Sequence, residues 1–461
     1  MATAGLLCFA TGVSFRDARG GESVRIAPSV GVGSRVRVTS VLEAAGKLRL
    51  NADGRGVQEV PVTIEGRLGY VSQRLAADAD HRGRRAIRRY EEAAGRIHIR
   101  KWEIATSLGA SRRVVAVDRH PGRPLTYYSP LGPLTTQDLD VVSIQFDPLV
   151  VDELIPGGRY EPGDSWKVAP TLLATLFGLD AVLESDLRGQ VSAIDDRAVR
   201  VELQGKLEGT IDGVTSRLEV RGKLRWDRAR QRVSWIAVQF RERRDISHTA
   251  PGFDTKARLR VEISPYRGDV VTDAGLRRRA MAGPTPPDLL VALVSPTGFE
   301  LLHSRQWKLV IDGPDVTVLR MIRQGELIAQ ANLVRLNDGR QLTLAEFQRE
   351  VRQALGDQFR QWVTAEEKQD GDIHHLHVVA AGEASGLAVQ WIYHHVHDGR
   401  NRRATVAFTV ESKLMERFAG EDEQIVSTLK LTQPAEPAPS KETDAAAPRQ
   451  AKQGVESPRR Q

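Results

Sequence analysis

The feature that most constrains the fold is a run of four alternating segments between Leu187 and Arg244. Apolar and polar residues alternate within each segment, which is the period-2 pattern of a strand with one face in water. Turns are expected at Asp195–Asp196, Asp212–Gly213 and Arg228–Gln231, with a fifth strand at Thr255–Ser264. This spacing predicts an antiparallel meander, which must cover its apolar face with a helix or by curling upon itself.

Two proline-rich stretches divide the 461 residues, which exceed the size of one ordinary core. Prolines at 284, 286 and 287 resist regular structure, and the last 29 residues hold five prolines and no aromatic residue. We therefore predict a possible truncated signal peptide at 1–23, a β-rich domain at 24–270, a linker at 271–287, an α+β domain at 288–432 and a disordered tail at 433–461.

Helical character is expected at two places in the first domain. The segment "RRAIRRYEEAAG" (Arg84–Gly95) ends in a glycine suited to a helix C-terminus. The segment "APTLLATLFGLDAVL" is apolar nearly all round and predicts a short buried helix. The N-terminal domain is thus predicted to be a β-rich antiparallel meander with one or two helices.

The second domain is predicted to be a smaller α+β domain with an antiparallel sheet and two helices. Thr343 and Glu346 form the S/T-x-x-E capping box that opens a helix. Apolar residues then recur every three or four positions, giving that helix one apolar face. The segment "LMERFAGEDEQIVSTLKL" is expected to form the closing helix.

Residues 289–431 resemble the PsbP/Mog1-like domain family. The resemblance rests on "GFELLHSRQWKL", "LTLAEFQREV", "GLAVQWIYHHVHDGRNRRATVAFTVE" and "FAGEDEQIVSTLKL". It implies an α+β fold and an adaptor, assembly or accessory role. Residues 150–265, with "PGDSWKV" before the meander, look like an uncharacterised bacterial exported β-meander domain, and that resemblance implies no function.

The N-terminus bears on the compartment. The stretch from Ala2 to Phe15 is uncharged and has the length of a secretory h-region, but it lacks a basic n-region. We favour a signal peptide clipped by a misplaced start, hence a periplasmic or secreted protein, with a cytoplasmic protein as the alternative. Cys8 is the single cysteine, so an intramolecular disulfide and a cysteine-based metal site are excluded. No other stretch approaches membrane-spanning length.

Composition and motifs disfavour several function classes. The net charge is +7, yet acidic residues are interleaved with the basic ones and aromatic residues make up only 5%, which disfavours nucleic-acid binding. The sequence has no H-E-x-x-H, G-x-S-x-G, P-loop or dinucleotide motif. We therefore expect no enzyme and no cofactor.

Six of the eleven histidines lie between His374 and His397. A turn near Ala384 would place His374 opposite His394, where Asp372 could help them hold zinc or copper. A pH-responsive surface is a second interpretation, because imidazoles titrate near pH 6.5. The favoured interpretation is that the histidines lie on the wet face of a two-stranded ribbon.

The resulting prediction is a non-enzymatic, exported accessory or adaptor protein with an unknown protein partner. Aromatic residues among polar ones are typical of binding patches, so the candidate partner-binding residues are Trp391, Tyr393, His395 and His397, beside His394. One alternative is a carrier of a hydrophobic ligand, in which a curled sheet and the apolar segment 172–183 enclose a cavity. The other alternative is a histidine-based metal-binding protein.

Overall fold

The computed structural model describes residues 23–28, 31–52, 56–76, 84–120, 122–247, 249–336, 338, 340–400 and 402–433. The predicted signal peptide and the predicted tail therefore lie outside the described residues, except for Ser23 and Gln433 at their edges. Within the described residues, strands make up 58% and helices 16%.

The first region contains sixteen strands and two α-helices among its described residues. Its strands are β1 (Val24–Ile26), β2 (Arg35–Ala52), β3 (Gly56–Leu75), β4 (Arg84–Ile99), β5 (Trp102–Ser107), β6 (Val114–Arg119), β7 (Thr126–Tyr128), β8 (Leu134–Thr135), β9 (Gly158–Tyr160), β10 (Ser165–Lys167), β11 (Ala181–Ser185), β12 (Arg188–Ile194), β13 (Ala198–Ile211), β14 (Val214–Asp227), β15 (Arg232–Arg244) and β16 (Gly252–Pro265). Its α-helices are α1 (Thr136–Val142) and α2 (Pro170–Phe177), and short 3-10 helices lie at Ala110–Arg112 and Val151–Leu154.

One large antiparallel sheet organises this region. Its main path runs β10-β12-β13-β14-β15-β16-β2-β3-β4-β6-β7, with β11 beside β13 and β5 beside β4, while β1 pairs separately with β9. The predicted meander is confirmed as β12 to β16, and the predicted buried helix is confirmed as α2. At the β13–β14 turn, Asp212 and Gly213 both have positive φ, which suits a tight hairpin.

The prediction of a helix at Arg84–Gly95 is wrong, because these residues belong to strand β4. The strand is buried on both faces along its first half. Ala86 and Tyr90 pack into the main core, while Ile87 packs on the other side against a smaller cluster. Burial on both faces removes the alternation that marks a strand in sequence.

The second region adds ten strands and four α-helices among its described residues. Its strands are β17 (Val291–Ser295), β18 (Phe299–His303), β19 (Trp307–Asp312), β20 (Thr317–Arg323), β21 (Glu326–Leu336), β22 (Phe359–Asp370), β23 (Ile373–Ala384), β24 (Leu387–His397), β25 (Arg403–Glu411) and β26 (Lys430–Leu431). Its α-helices are α3 (Ala274–Ala282), α4 (Leu344–Leu355), α5 (Met415–Phe418) and α6 (Glu421–Val426). Further 3-10 helices lie at Pro286–Leu289, Gly356–Gln358 and Ser412–Leu414.

A seven-stranded antiparallel sheet, in the order β19-β20-β21-β25-β24-β23-β22, dominates the second region. A smaller sheet has the order β26-β18-β17-β8, so strand β8 of the first region pairs with β17 across the predicted linker. The two regions also meet at two hairpin turns. A Cβ atom on Gly213 would lie 2.4 Å from the Cα of Gly325, so this backbone approach requires glycine.

The predicted fold class, with an α+β second domain, is wrong. The second region consists mainly of antiparallel strands, and its only described helix of more than nine residues is α4, with 12. The predicted closing helix is instead α5 and α6, of four and six residues, followed by strand β26. Gly420 between them has a φ of 82°, which interrupts a continuous helix. Among the described residues, no helix is long and apolar enough to cross a membrane.

Candidate functional site

The histidine-rich segment forms the β23–β24 hairpin, with a register different from the predicted one. The turn lies at Ser385–Gly386, where both residues have positive φ, and not at Ala384. His377 therefore pairs with His394, and His374 pairs with His397. The expectation that His374 would lie opposite His394 is wrong.

The six histidines divide equally between the two faces of the sheet. Side chains two residues apart share a face of a strand, and directly paired residues share it across strands. One set, which we call the Asp422-side group, consists of His375, His377 and His394. The other set, which we call the α4-side group, consists of His374, His395 and His397.

The Asp422-side group packs toward α6 and the core of the second region. The ring of His394 lies nearly parallel to those of its two neighbours, with centroids 4.4 Å from His377 and 5.2 Å from His375. The edge of the same ring contacts Phe408, with centroids 5.9 Å apart. His394 is buried, whereas His375 and His377 are half-buried, so the group lies just beneath the surface.

A hydrogen-bonded chain links this group to Asp422 in α6. His394 Nε2 lies 3.0 Å from Asp422 Oδ2, and His394 Nδ1 lies 3.0 Å from His375 Nε2. An ionised carboxylate only accepts, so the His394 Nε2–H donates to Asp422. In a neutral His394 ring, Nδ1 then accepts a hydrogen bond from the His375 Nε2–H.

The surroundings of three side chains at this site, His375, His377 and Asp422, shift their pKa values. Burial, followed by the neighbouring His394, lowers the pKa of His375 to about 4 and also lowers the pKa of His377. Burial alone would raise the pKa of Asp422, but the hydrogen bond from His394, the charge of His394 and backbone N–H groups together outweigh burial and lower it. The His377 imidazole and the Asp422 carboxylate are therefore available as ligands, and His394 Nε2 would become one when a metal ion replaces its proton.

The arrangement has the composition of a transition-metal site. One nitrogen each from His377 and His394 and one oxygen from Asp422 lie within 4.8 Å of one another. His377 Nε2 is buried and contacts no hydrogen-bond partner among the described residues. Imidazole and carboxylate ligands suit Zn²⁺ and related divalent ions, and a small inward movement of the three side chains would bring them to bonding distance.

The predicted metal ligands are not brought together. His394 belongs to the site, but His374 lies on the opposite face of the sheet and Asp372 is exposed in the turn before β23. Sequence reasoning missed His377 as a ligand because its partner strand was placed in the wrong register. It also missed Asp422, 28 residues beyond His394, because no spacing signal links an acidic residue in α6 to the hairpin.

The predicted partner-binding residues are placed between the sheet and α4. Trp391, His395 and His397 are at most 6% exposed, and Tyr393 is half-buried. The ring of Phe347 in α4 lies 5.2 Å from that of His395. This cover shows that the four residues form no exposed patch in the described structure.

The alternative prediction of a hydrophobic-ligand carrier requires a cavity in the first region. The apolar face of its sheet packs against α2 and the segment around 150 in one continuous core. Two concavities of about 670 and 850 Å³ lie instead along the other face, beside polar side chains such as Glu43, Arg221 and Arg258. Apolar side chains such as Trp235 and Ile64 also line these concavities, so the carrier hypothesis stays a prediction.

Neither a family model nor a curated protein matches this chain. Among solved structures, it is similar to MucB in complex with MucA(peri), with 10% identity, 86% of this chain and 94% of that one covered, and a TM-score of 0.17. It is also similar to DynF from the dynemicin pathway of Micromonospora chersina, with 11% identity, 57% and 94% coverage, and a TM-score of 0.15. The translocator domain of the autotransporter NalP from Neisseria meningitidis gives 10% identity, 82% and 88% coverage, and a TM-score of 0.12. These scores are too low to support any argument about fold or function, and the PsbP/Mog1-like resemblance stays a prediction.

Proposed function

We propose that this chain binds a divalent transition-metal ion, with zinc as the leading candidate, through His377, His394 and Asp422. The observation that carries the proposal is the convergence of two imidazole nitrogens and one carboxylate oxygen within 4.8 Å. The buried, unpartnered Nε2 of His377 supports it, because a buried polar atom without a partner is costly. Three protein ligands leave a fourth position for water or another group.

His375 would act as a positioning residue. When a metal ion replaces the proton on His394 Nε2, the remaining ring proton lies on Nδ1, which can donate to His375 Nε2 at the same 3.0 Å separation. Hydrogen bonds of this kind fix the tautomer and orientation of a metal-bound histidine. The stacked histidines would thus supply two ligands, His377 and His394, and a third ring, His375, that orients His394.

The broader role remains the one expected from sequence. We propose an exported accessory protein without catalytic activity, in which the metal ion stabilises the second region or completes a surface for a protein partner. Location would be tested by fractionating cells that express the tagged full-length chain. Recovery of the chain in the cytosol alone would contradict export while leaving the metal site untouched.

Metal binding is tested on full-length protein stripped with a chelator and dialysed. We expect one Zn²⁺ per chain by calorimetry, and a Co²⁺ complex whose visible absorption reports nitrogen and oxygen ligands. At a free Zn²⁺ concentration one hundred times the dissociation constant, the free energy of unfolding should rise by about 2.7 kcal/mol.

Variants locate the site. His377→Phe and Asp422→Asn should each abolish the Co²⁺ spectrum, whereas His98→Gln, at a histidine in strand β4, should leave it unchanged. Circular dichroism of the metal-free variants checks that they fold. One equivalent of metal bound equally by both site variants, or no binding by the wild-type chain, would refute the proposal.

A further inference from the structure

A second polar cluster lies on the opposite face of the same hairpin. His374, His397 and Arg403 are direct neighbours across β23, β24 and β25, and His395 is two residues before His397 on the same face. These four side chains are each at most 5% exposed. Such burial is rare for Arg and unusual for three histidines at once.

Each histidine of the cluster has one bonded and one unpartnered ring nitrogen, and Arg403 has two bonded nitrogens and one unpartnered nitrogen. His374 Nε2 lies 2.8 Å from Glu367 Oε1, and His395 Nδ1 lies 3.0 Å from Thr405 Oγ1. The four remaining nitrogens are buried and have no partner among the described residues. They are His374 Nδ1, His395 Nε2, His397 Nε2 and Arg403 Nη1.

Two of these four nitrogens must be donors. The backbone N–H of Gly399 donates to His397 Nδ1 at 3.1 Å, so the proton of the neutral His397 ring lies on Nε2. Arg403 Nη1 always carries protons, while its Nε and Nη2 are occupied by Asp338. A metal ion is excluded at His397 Nε2, because Nδ1 already accepts from Gly399 and the ring proton cannot move there to free the Nε2 lone pair.

We propose that the α4-side group and Arg403 form a buried site for a small monovalent anion such as chloride. Arg403 Nη1 and His397 Nε2 supply fixed N–H donors, and His395 Nε2 becomes a third when Thr405 donates to its other ring nitrogen. Hydrogen bonds from charged groups are the strong ones, so an anion gains most from the arginine. Phe347 of α4 covers the site and keeps it from bulk solvent.

The charge balance favours a single negative charge. Arg403 is the one fixed cation of the cluster. Two carboxylates contact the cluster, Asp338 at Arg403 and Glu367 at His374, and they are 56% and 50% exposed, so water screens both of them. A divalent oxyanion would be undercompensated there.

The test uses crystals of the full-length protein grown or soaked in bromide. We expect an anomalous peak within hydrogen-bonding distance of Arg403 Nη1 and His397 Nε2. In solution, chloride and bromide should raise the unfolding temperature of the wild type above its value in gluconate at the same ionic strength. The halide effect should disappear in His397→Phe and persist in Arg360→Met, which removes an exposed arginine from β22.

Two results would overturn the proposal. One is a bromide map without a peak at the cluster, which would indicate that water alone satisfies the donors. The other is an equal halide effect in the wild type, His397→Phe and Arg360→Met, which would indicate general screening. Because the bromide map uses the wild-type chain, the test survives even if His397→Phe fails to fold.

Discussion

One ion pair in the first region and the histidine hairpin in the second bury polar groups in different ways. In the first region, both terminal nitrogens of Arg88 bond to Asp147, at 2.6 and 2.8 Å, and both residues are 1% exposed. The Tyr127 hydroxyl and the Leu149 N–H also donate to that carboxylate, at 2.9 and 2.8 Å. In the second region, the histidine hairpin buries several nitrogens that meet no protein partner.

The ion pair balances its charges within the protein, although Arg88 Nε is also buried without a partner among the described residues. Burial alone would raise the pKa of Asp147, but the guanidinium of Arg88 outweighs burial and keeps the carboxyl ionised. The pair thus completes its own charge and needs no ligand. The two proposed sites, for a metal ion on one face of the hairpin and an anion on the other, would supply the partners that these nitrogens lack.

The largest loss of stability is expected when the buried Arg88–Asp147 pair is broken. Asp147→Asn leaves the Arg88 charge buried without its counter-charge, which should lower the free energy of unfolding by about 3–5 kcal/mol. Urea denaturation at pH 7 measures it. The control is Asp254→Asn, which breaks a more exposed pair with Arg241 and should cost less than about 1 kcal/mol. Equal losses in the two variants would show that burial does not distinguish them.

Mild acid should destabilise the histidine hairpin and leave the Arg88–Asp147 pair intact. The folded-state pKa of His395 is about 4, below its ordinary 6.5, so the unfolded chain binds more protons between these values. Stability is therefore full above about pH 6.5 and falls as the pH drops toward 4. The folded pKa of Asp147 is lowered instead, so the contribution of that carboxylate is lost only below its ordinary 3.8.

The expected loss between pH 7 and pH 5 is about 1–2 kcal/mol, measured by urea unfolding of chelator-treated protein. Hydrogen exchange should quicken in β24 more than in β4 over the same interval. His395→Gln should reduce the loss, and His98→Gln should not. An unchanged pH dependence in His395→Gln would assign the effect to other groups.

Local patterns in the sequence predicted the strands and helices that are determined by residues close together in the sequence. The meander was predictable because each strand alternates and each turn is short. Helix α4 was predictable because Thr343 and Glu346 form its capping box within four residues. Strand β4 was not predictable, because burial on both faces hides its period.

The candidate site was only partly predictable, since its geometry depends on register and on distant residues. The histidine hairpin was expected, yet moving the turn from Ala384 to Ser385–Gly386 exchanges the partner of every histidine. Asp422 reaches His394 because α5 and α6 fold back as separate short helices, whereas one continuous helix was predicted. The predicted partner-binding residues Trp391 and His395 pack against α4, and no local pattern in the sequence indicates that this helix lies on them.

The smallest loss of stability is expected at two helix caps, one in each region. Thr343 and Thr135 each accept a hydrogen bond from a backbone N–H at the start of α4 and α1, at 3.3 and 3.1 Å. Replacing either with alanine should lower the free energy of unfolding by about 1 kcal/mol in urea denaturation. Only α4 covers the α4-side group, so only Thr343→Ala should also quicken hydrogen exchange in β24 and weaken the halide effect. If Thr135→Ala weakened that effect as much, the anion response would follow overall stability, and the proposed link between α4 and the buried cluster would fail.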